Sequence, residues 1–178
     1  MTTVTPEPIS TERLRLVPIE PGHADEMAGV LADPALYAFT GGVPPSPDAL
    51  RERYQRLAAG SPEPCVTWGN WVIQVRRSGR LAGYVQATIT AGDCDEAGPP
   101  GPEAEVAWVV GPPWQGQGLA TEAARALAGW LGRRGMTTIV AHIHPDHHAS
   151  AAVATALGLS PSGGWHDGER RWQRVLAP

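Results

Sequence analysis

Residues 105–122 read EVAWVVGPPWQGQGLATE and carry more information than any other part of the chain. The apolar run that ends at Val110 is typical of a strand, and the residues after Gly118 have helical spacing, so the stretch predicts a strand, a turn and a helix. Gly116 and Gly118 lack a Cβ, which lets the backbone curl tightly. The first amides of a helix have no partner within it and lie at the positive end of its dipole. The stretch therefore predicts a pyrophosphate site where the helix begins.

Two other nucleotide-binding patterns do not fit this turn. The dinucleotide-binding fingerprint requires a small residue where Thr121 stands, and an acidic residue about 20 positions later, where the chain has Val140. The phosphate loop of the Gly-Lys-Ser/Thr type requires a lysine, and all 14 basic residues of this chain are arginine. A plain turn before a buried helix remains the simpler interpretation of the glycine pair by itself.

The rest of the chain alternates between strand and helix patterns. Period-2 or apolar runs predict strands at residues 11–18, 71–76, 81–90, 103–110, 137–144, 162–166 and 170–176. Helical spacing predicts helices at residues 21–31, 48–58, 119–131 and 150–157. Residues 91–102, rich in Gly, Pro and Asp, predict a polar loop. No linker or repeat divides this order, so we expect a single mixed α/β domain over residues 1–178.

Composition excludes several classes of protein. The chain has 178 residues and a net charge of −4, whereas a nonspecific nucleic-acid binder carries a basic field. It contains two cysteines, Cys65 and Cys94, which are enough for one disulfide but do not form a zinc-binding pattern. No apolar run reaches the roughly 20 residues of a membrane helix, and no signal peptide is visible. These features predict a cytoplasmic protein without membrane or nucleic-acid partners.

Several motifs, in the same order, resemble the GNAT superfamily of N-acetyltransferases. Gln115-x-x-Gly118-x-Ala120 resembles its acyl-CoA-binding signature. Residues 9–16 resemble its opening strand, and residues 81–84 resemble its third strand. Residues 144–159 resemble the usual ending, His-Pro-x-Asn-x-x-Ser followed by Leu-Gly-Phe. The resemblance covers almost the whole chain and is closest to the branch that contains the ribosomal-protein N-terminal acetyltransferases.

This resemblance implies both a fold and an activity. The implied fold is a GNAT-like mixed α/β fold whose twisted, mostly antiparallel sheet has about six to seven strands and about four flanking helices. The sheet splays between its fourth and fifth strands. The implied activity is acyl-CoA-dependent N-acyltransfer, in which a primary amine attacks acetyl-CoA directly within a ternary complex.

The resemblance also assigns residues to the cofactor. Trp108, Val109 and Val110 would lend main-chain groups to the pantetheine arm. His147 stands where the family usually has an asparagine that contacts the cofactor arm or local backbone, which leaves its contact with CoA open. The amides expected to bind the CoA pyrophosphate are those of Gln115, Gly116, Gln117, Gly118, Leu119, Ala120 and Thr121.

Glu105 and Ser150 are the candidate catalytic residues. In the family, the region of Glu105 often supplies the carboxylate that deprotonates the amine, and Glu103 is a weaker claimant. An exposed glutamate at a strand end is the alternative interpretation. A main-chain N–H, assigned to Val109, would polarise the thioester carbonyl. Ser150 either contacts the thiol or caps a helix, and solvent could instead protonate the thiolate, since residues 151–158 lack the tyrosine that many members place there. A cysteine nucleophile is rejected.

Histidines cluster near the end of the chain, but they do not predict a metal site. His142, His144, His147 and His148 lie near Asp146, and His142 and His144 share one strand face. The family pattern explains the segment around His144, so we expect no metal.

The acceptor site is expected, by resemblance, along residues 37–47 and 68–70, at Tyr84 and Gln86, and in the last hairpin at residues 165–172. The acceptor is a small-molecule or peptide amine, and the acidic chain mildly favours cationic ones. A second hypothesis is a non-catalytic acyl-CoA-binding sensor or interaction module. Homodimers are common in the family, although the sequence itself does not show one.

Overall fold

One eight-stranded sheet forms the centre of the computed structural model, which describes residues 4–92 and 101–176. The order across the sheet is β1-β2-β3-β4-β5-β6-β8-β7. Among these strands, the β5–β6 pair is parallel and the other neighbours are antiparallel. The strands are β1 (Ile9–Ser10), β2 (Leu14–Pro18), β3 (Val66–Val75), β4 (Leu81–Thr90), β5 (Glu103–Val110), β6 (Thr138–Ile143), β7 (Ser160–His166) and β8 (Glu169–Val175).

Four α-helices cover the two faces of this sheet within the described ranges. They are α1 (Ala24–Val30), α2 (Pro47–Ala59), α3 (Leu119–Arg133) and α4 (His148–Ala156). Short 3-10 turns precede or link them at Pro21–His23, Pro34–Tyr37 and Pro112–Trp114. None of the helices within residues 4–92 and 101–176 combines the length and apolar character of a membrane-spanning helix.

Period-2 alternation sends the side chains of each central strand to two different cores. On β4, Val85, Ala87 and Ile89 are buried in the cluster beneath α3 and α4. Tyr84, which directly precedes Val85 and faces the other side of the sheet, packs instead against the cluster beneath α1 and α2. The α3 and α4 cluster contains the Trp71–Trp130 edge-to-face pair, with ring centroids 5.1 Å apart.

The sheet opens between β5 and β6. Only three residue pairs join the two described strands, from Glu103 opposite Thr138 to Glu105 opposite Val140. Beyond Glu105, residues 106–110 pair with β4 on one side but not with β6 on the other. The predicted splay between the fourth and fifth strands is therefore confirmed, since the runs predicted at residues 103–110 and 137–144 correspond to β5 and β6.

The strand count is slightly higher than predicted, because the run at residues 11–18 does not begin as a strand. The Thr11 N–H donates to the Leu14 carbonyl at 2.9 Å, and its hydroxyl oxygen accepts from the Leu14 amide at 3.0 Å. This turn separates β1 from β2. Helix α4 also begins earlier than expected, at His148 rather than Ser150. Most of the loop predicted at residues 91–102, together with Cys94, lies outside the described residues.

Candidate active site

The glycine-rich turn adopts a conformation that favours glycine at two positions. Gly116 has a φ of 71° and Gly118 a φ of 77°, both in the left-handed region. Gly118 is the N-cap of α3 and has no side chain to accept from the first helical amides. In most helices a Ser, Thr, Asn or Asp occupies that position and binds one of those amides. Here they are left for another partner.

Six consecutive amides of this turn face no partner among the described residues. The Glu122 N–H makes the first helical bond, to the Gly118 carbonyl at 3.0 Å. The N–H groups from Gly116 through Thr121 make no bond to the described backbone or side chains. The Gln115 amide differs from the expectation, because it donates to the Pro112 carbonyl at 3.2 Å as part of the preceding 3-10 turn. The predicted amide set thus begins at Gly116.

Arg13 places a positive charge beside these amides. Its Nη1 donates to the Gln117 carbonyl at 2.9 Å, and its Nε lies 2.6 Å from the Glu122 carboxylate. Thr11 donates to the same carboxylate at 2.6 Å. Burial by itself would raise the pKa of the Glu122 carboxyl, but the hydrogen bonds from Thr11 and Arg13 outweigh it and lower that pKa. The charged pair links the segment just before β2 to the start of α3, next to the glycine-rich turn.

The free edge of β5 leads from the glycine turn towards the point where the sheet opens. The side-chain amide of Gln115 donates to the Val110 carbonyl at 2.9 Å, so that carbonyl already has a partner. The Val109 carbonyl is directed at Gly83, where an added Cβ would lie 2.0 Å from its oxygen. Trp108 is partly buried against the α3 side of the sheet. Polarisation of a thioester by the Val109 N–H stays a prediction.

Glu105 lies at the opening and pairs with a histidine. Its carboxylate is 2.7 Å from Nδ1 of His142, two residues beyond the last β6 residue that pairs with β5. The Glu105 side chain is 50% exposed and that of His142 14%, so the pair is reachable from solvent mainly through the carboxylate. The His166 ring centroid lies 5.5 Å from that of His142. The alternation within β6 predicted that His142 and His144 share one strand face. It did not predict the contact between His142 and Glu105.

Two further glutamates border this pair. Glu103 is held by Arg171, whose Nη2 is 2.7 Å from the carboxylate, and its side chain is only 17% exposed. That pairing gives the Glu103 carboxylate a cationic partner, whereas Glu105 lies 2.7 Å from His142. Burial raises the pKa of the Glu169 carboxyl, and the nearby charge of Glu105 raises it further, while His142 acts in the opposite direction.

His147, and not Ser150, caps helix α4. The Ser150 N–H donates to Nδ1 of His147 at 3.2 Å, and the Ser150 hydroxyl lies 3.3 Å from Nε2 of the same ring. Burial lowers the pKa of His147, which favours the neutral ring required for Nδ1 to accept. The suggestion that Ser150 caps this helix is therefore wrong: its hydroxyl contacts the cap.

The histidines and the loop before α2 complete the rim of the opening. Phe39 lies 5.1 Å from the ring of His144 and 4.6 Å from that of His147, so the α1–α2 connection contacts the β6–α4 connection. Within the described part of the chain, no three His, Cys, Asp or Glu side chains are grouped closely enough to hold a metal ion. Trp165, in the last hairpin, is 60% exposed.

Comparison with known proteins agrees with this geometry. A family model described as "Acetyltransferase (GNAT) domain" matches residues 13–160. No curated protein sequence is similar enough to count as a match.

Solved structures share the fold at low sequence identity. A GNAT-family acetyltransferase from Bacillus anthracis superposes with a TM-score of 0.75 at 18% identity, covering 95% of this chain and 98% of that one. A Salmonella typhimurium acetyltransferase that modifies the N-terminal serine of ribosomal protein L7/L12 gives 0.75 at 18%, covering 96% and 100%. The microcin C7 self-immunity acetyltransferase MccE, solved with acetyl-CoA and AMP, gives 0.74 at 16%, covering 98% and 99%.

Proposed function

Since the chain belongs to the GNAT acetyltransferase family, we propose that it transfers the acetyl group of acetyl-CoA to a primary amine. The acceptor is a small molecule or a peptide N-terminus. The observation that carries the proposal is the run of six amides, from Gly116 through Thr121 at the start of α3, that have no partner among the described residues. Such a run, at the positive end of a helix dipole and beside Arg13, suits the diphosphate of CoA.

The opening between β5 and β6 supports a position for the rest of the substrate. A chain attached to a diphosphate at Gly116–Thr121 can follow the free edge of β5 and add main-chain hydrogen bonds like an extra strand. Trp108, Val109 and Val110 lie along that edge. The reactive end of the acetyl-CoA would then come near Glu105, where the two strands meet.

Glu105 is the proposed general base. The incoming ammonium gives a proton to the Glu105 carboxylate, whose hydrogen bond to His142 holds it in place at 2.7 Å. The neutral amine then attacks the thioester carbonyl carbon, the carbon–sulfur bond breaks, and the nitrogen releases its second proton to solvent, which leaves an amide and a thiolate. The thiolate takes a proton from the Ser150 hydroxyl or from solvent.

The structural neighbours support the same chemistry. The MccE structure contains acetyl-CoA, and the Salmonella enzyme modifies an N-terminal serine. At 16–18% identity these proteins do not identify the acceptor of this chain. The acceptor has to be argued from residues of this chain.

A thiol-release assay with acetyl-CoA and a panel of amines tests the proposal. We expect turnover, and we expect Glu105→Gln to lower kcat by about 10²–10⁴-fold, the usual contribution of a positioned base. The Glu63→Gln variant, which changes an exposed loop carboxylate, serves as the matched control and should retain activity. Tight CoA binding without turnover of any amine would instead favour the non-catalytic sensor.

A further inference from the structure

A narrow crevice lies between α2 and the strands β3 and β4. Its volume is about 20 Å³, and it lies on the face of the sheet that carries Glu105. Aliphatic side chains form most of its surface. Its polar lining consists of Arg53, Tyr54, Asn70, Tyr84 and Gln86. None of these five side chains carries a negative charge at neutral pH, so the polar part of the lining is cationic and rich in hydrogen-bond donors.

Arg53 supplies the charge. It lies on the exposed side of α2 and borders the crevice. Arg51 is neutralised by Asp25 and Asp48, each at 2.7 Å. Arg53 forms no ion pair or hydrogen bond with any residue in the described ranges. Its guanidinium is therefore available to an external anion.

The crevice also contains polar groups that lack partners. The Tyr54 hydroxyl is buried and has no hydrogen-bond partner among the described residues, and Tyr54 itself is only 3% exposed. Asn70 is 8% exposed, and its side-chain amide likewise forms no hydrogen bond within residues 4–92 and 101–176. Because an unsatisfied buried polar group costs free energy, the Tyr54 hydroxyl indicates a position filled by water or ligand, and the Asn70 amide lies beside it.

Burial and charge at the tyrosines agree with this description. Burial raises the pKa of the Tyr84 and Tyr54 hydroxyls, which keeps both as donors at neutral pH. The charge of Arg53 acts on both hydroxyls in the opposite direction, so the guanidinium lies close to them.

The strand register places the crevice next to the proposed base. Gln86 lies opposite Asn70 on β3, and Glu105 lies opposite Thr88, two residues further along β4. Gln86 and Glu105 are thus diagonal neighbours on one face, with a spacing of about 7–8 Å. The site has an acidic end, at Glu105 and Glu169, and a cationic end at Arg53.

We propose that the acceptor is a zwitterion, an amine that carries a carboxylate on the same molecule, with the carboxylate bound by Arg53 and the donors of the crevice. This inference rests on the proposed function and adds the substrate class. A carboxylate fits better than a phosphate, because the crevice is narrow and a carboxylate is the smaller and flatter of the two anions. The planar guanidinium and neutral donors also match two coplanar oxygen atoms. The net negative charge of the chain favours cationic acceptors. The positive charge of Arg53 at the crevice disfavours an acceptor that carries only positive charge.

Matched pairs of acceptors test the proposal. Linear amino acids of increasing chain length are compared with their carboxamides, which keep the amine but remove the negative charge, in the thiol-release assay. We expect the best carboxylate to exceed its carboxamide in kcat/KM by roughly 10- to 100-fold, the range for a hydrogen bond to a charged group. Arg53→Gln should remove this ratio, because it lowers kcat/KM for the carboxylate far more than kcat/KM for the carboxamide. Arg56→Gln, an exposed arginine on the same helix outside the crevice, should preserve the ratio.

The outcomes separate this inference from the proposed function. Turnover of carboxamides as efficient as that of carboxylates would overturn the inference and leave the acetyltransferase activity intact. The same holds if Arg53→Gln and Arg56→Gln change the ratio equally. If neither series is acetylated but another amine of the panel is, the inference fails and the proposed function stands. If CoA binds and no amine at all is acetylated, the proposed function fails, and the inference fails with it.

Discussion

His147 shows how one residue can replace another by providing the same hydrogen bond. The family usually has an asparagine here, and a side-chain acceptor at a helix N-cap satisfies one of the free amides. In this chain Nδ1 of the imidazole accepts from the Ser150 N–H at 3.2 Å. Imidazole accepts in this way only when that nitrogen is unprotonated. The cap is therefore expected to depend on pH, which an asparagine cap would not.

We expect the stability of the protein to fall at acidic pH partly because of His147. Burial lowers its pKa below the ordinary value of 6.5, so the unfolded chain binds the proton more readily than the folded protein. The contribution of the cap is thus fully present above about pH 6.5. It is lost as the pH falls through the lowered pKa of the folded protein. Urea unfolding at pH 7 and pH 5 measures the difference.

The variants His147→Asn and Ser150→Ala provide the comparison. His147→Asn keeps an acceptor at the cap and should reduce the loss of stability between the two pH values. Ser150→Ala removes the hydroxyl but leaves the capping N–H, so its pH dependence should match that of the unchanged protein. An equal loss in all three proteins would contradict the assignment of the cap.

Glu105 and Arg53 show which features of a site a sequence pattern predicts and which it does not. Glu105 was predicted from its place in the motif. Its contact with His142 depends on the register between two strands that are far apart in sequence, and period-2 alternation gives the face of His142 but not that register. Arg53 was missed for a related reason, because helical periodicity does not show which strand borders the edge of a helix.

At the scale of the element, the start of α3 combines two properties in one turn. Positive φ values at Gly116 and Gly118 reverse the chain, and the reversal leaves six amides unpaired among the described residues. A residue with a Cβ would tolerate this backbone only with strain. The turn can therefore be probed by a change that affects geometry while keeping all neighbouring side chains.

Gly116→Ala should weaken CoA binding more than it weakens the fold. Gly116 has a φ of 71° and nothing within 4 Å of an added Cβ, so the expected stability loss is backbone strain of about 1–3 kcal/mol. Gly135→Ala is the matched control, with a φ of 80°, equally open surroundings and a position at the other end of α3. Both should unfold at similarly reduced urea concentrations, whereas calorimetry should show weaker CoA binding only for Gly116→Ala. Equal Kd values for the two variants would argue against a diphosphate at this turn.

Element boundaries followed from the sequence where pattern and packing agree. The strand predicted at residues 103–110 matches β5 at both ends, because its apolar run and the following Gly-Pro mark the same limits. The strand predicted at residues 11–18 was wrong at its start. The Thr11 hydroxyl oxygen accepts from the Leu14 amide, and three residues form a turn instead. Strand β3 begins at Val66, earlier than predicted, because it pairs with the far end of β4.

At the scale of the whole molecule, the central sheet has two parts, and these parts separate beyond Glu105, where β5 and β6 stop pairing. Three paired residues connect β5 with β6 in the described chain, and helix α3 packs across the core that the strands on both sides share. Contacts of Phe39 with His144 and His147 add a link at the rim. A ligand that lies in the opening and also binds the start of α3 would hold both parts together.

Acetyl-CoA should accordingly stabilise the whole protein against heat. A ligand that binds only the folded state at 100 times its Kd adds about 2.7 kcal/mol. For a chain of this size, each kcal/mol corresponds to about 2–4 °C in Tm, which predicts a rise of about 5–11 °C. Differential scanning fluorimetry measures it, with acetyl-pantetheine, which lacks the diphosphate, as the control that should give a much smaller shift. Equal shifts from both compounds would show that the amides at Gly116–Thr121 contribute little. No shift with millimolar acetyl-CoA would remove the cofactor site, and with it both the transferase and the sensor.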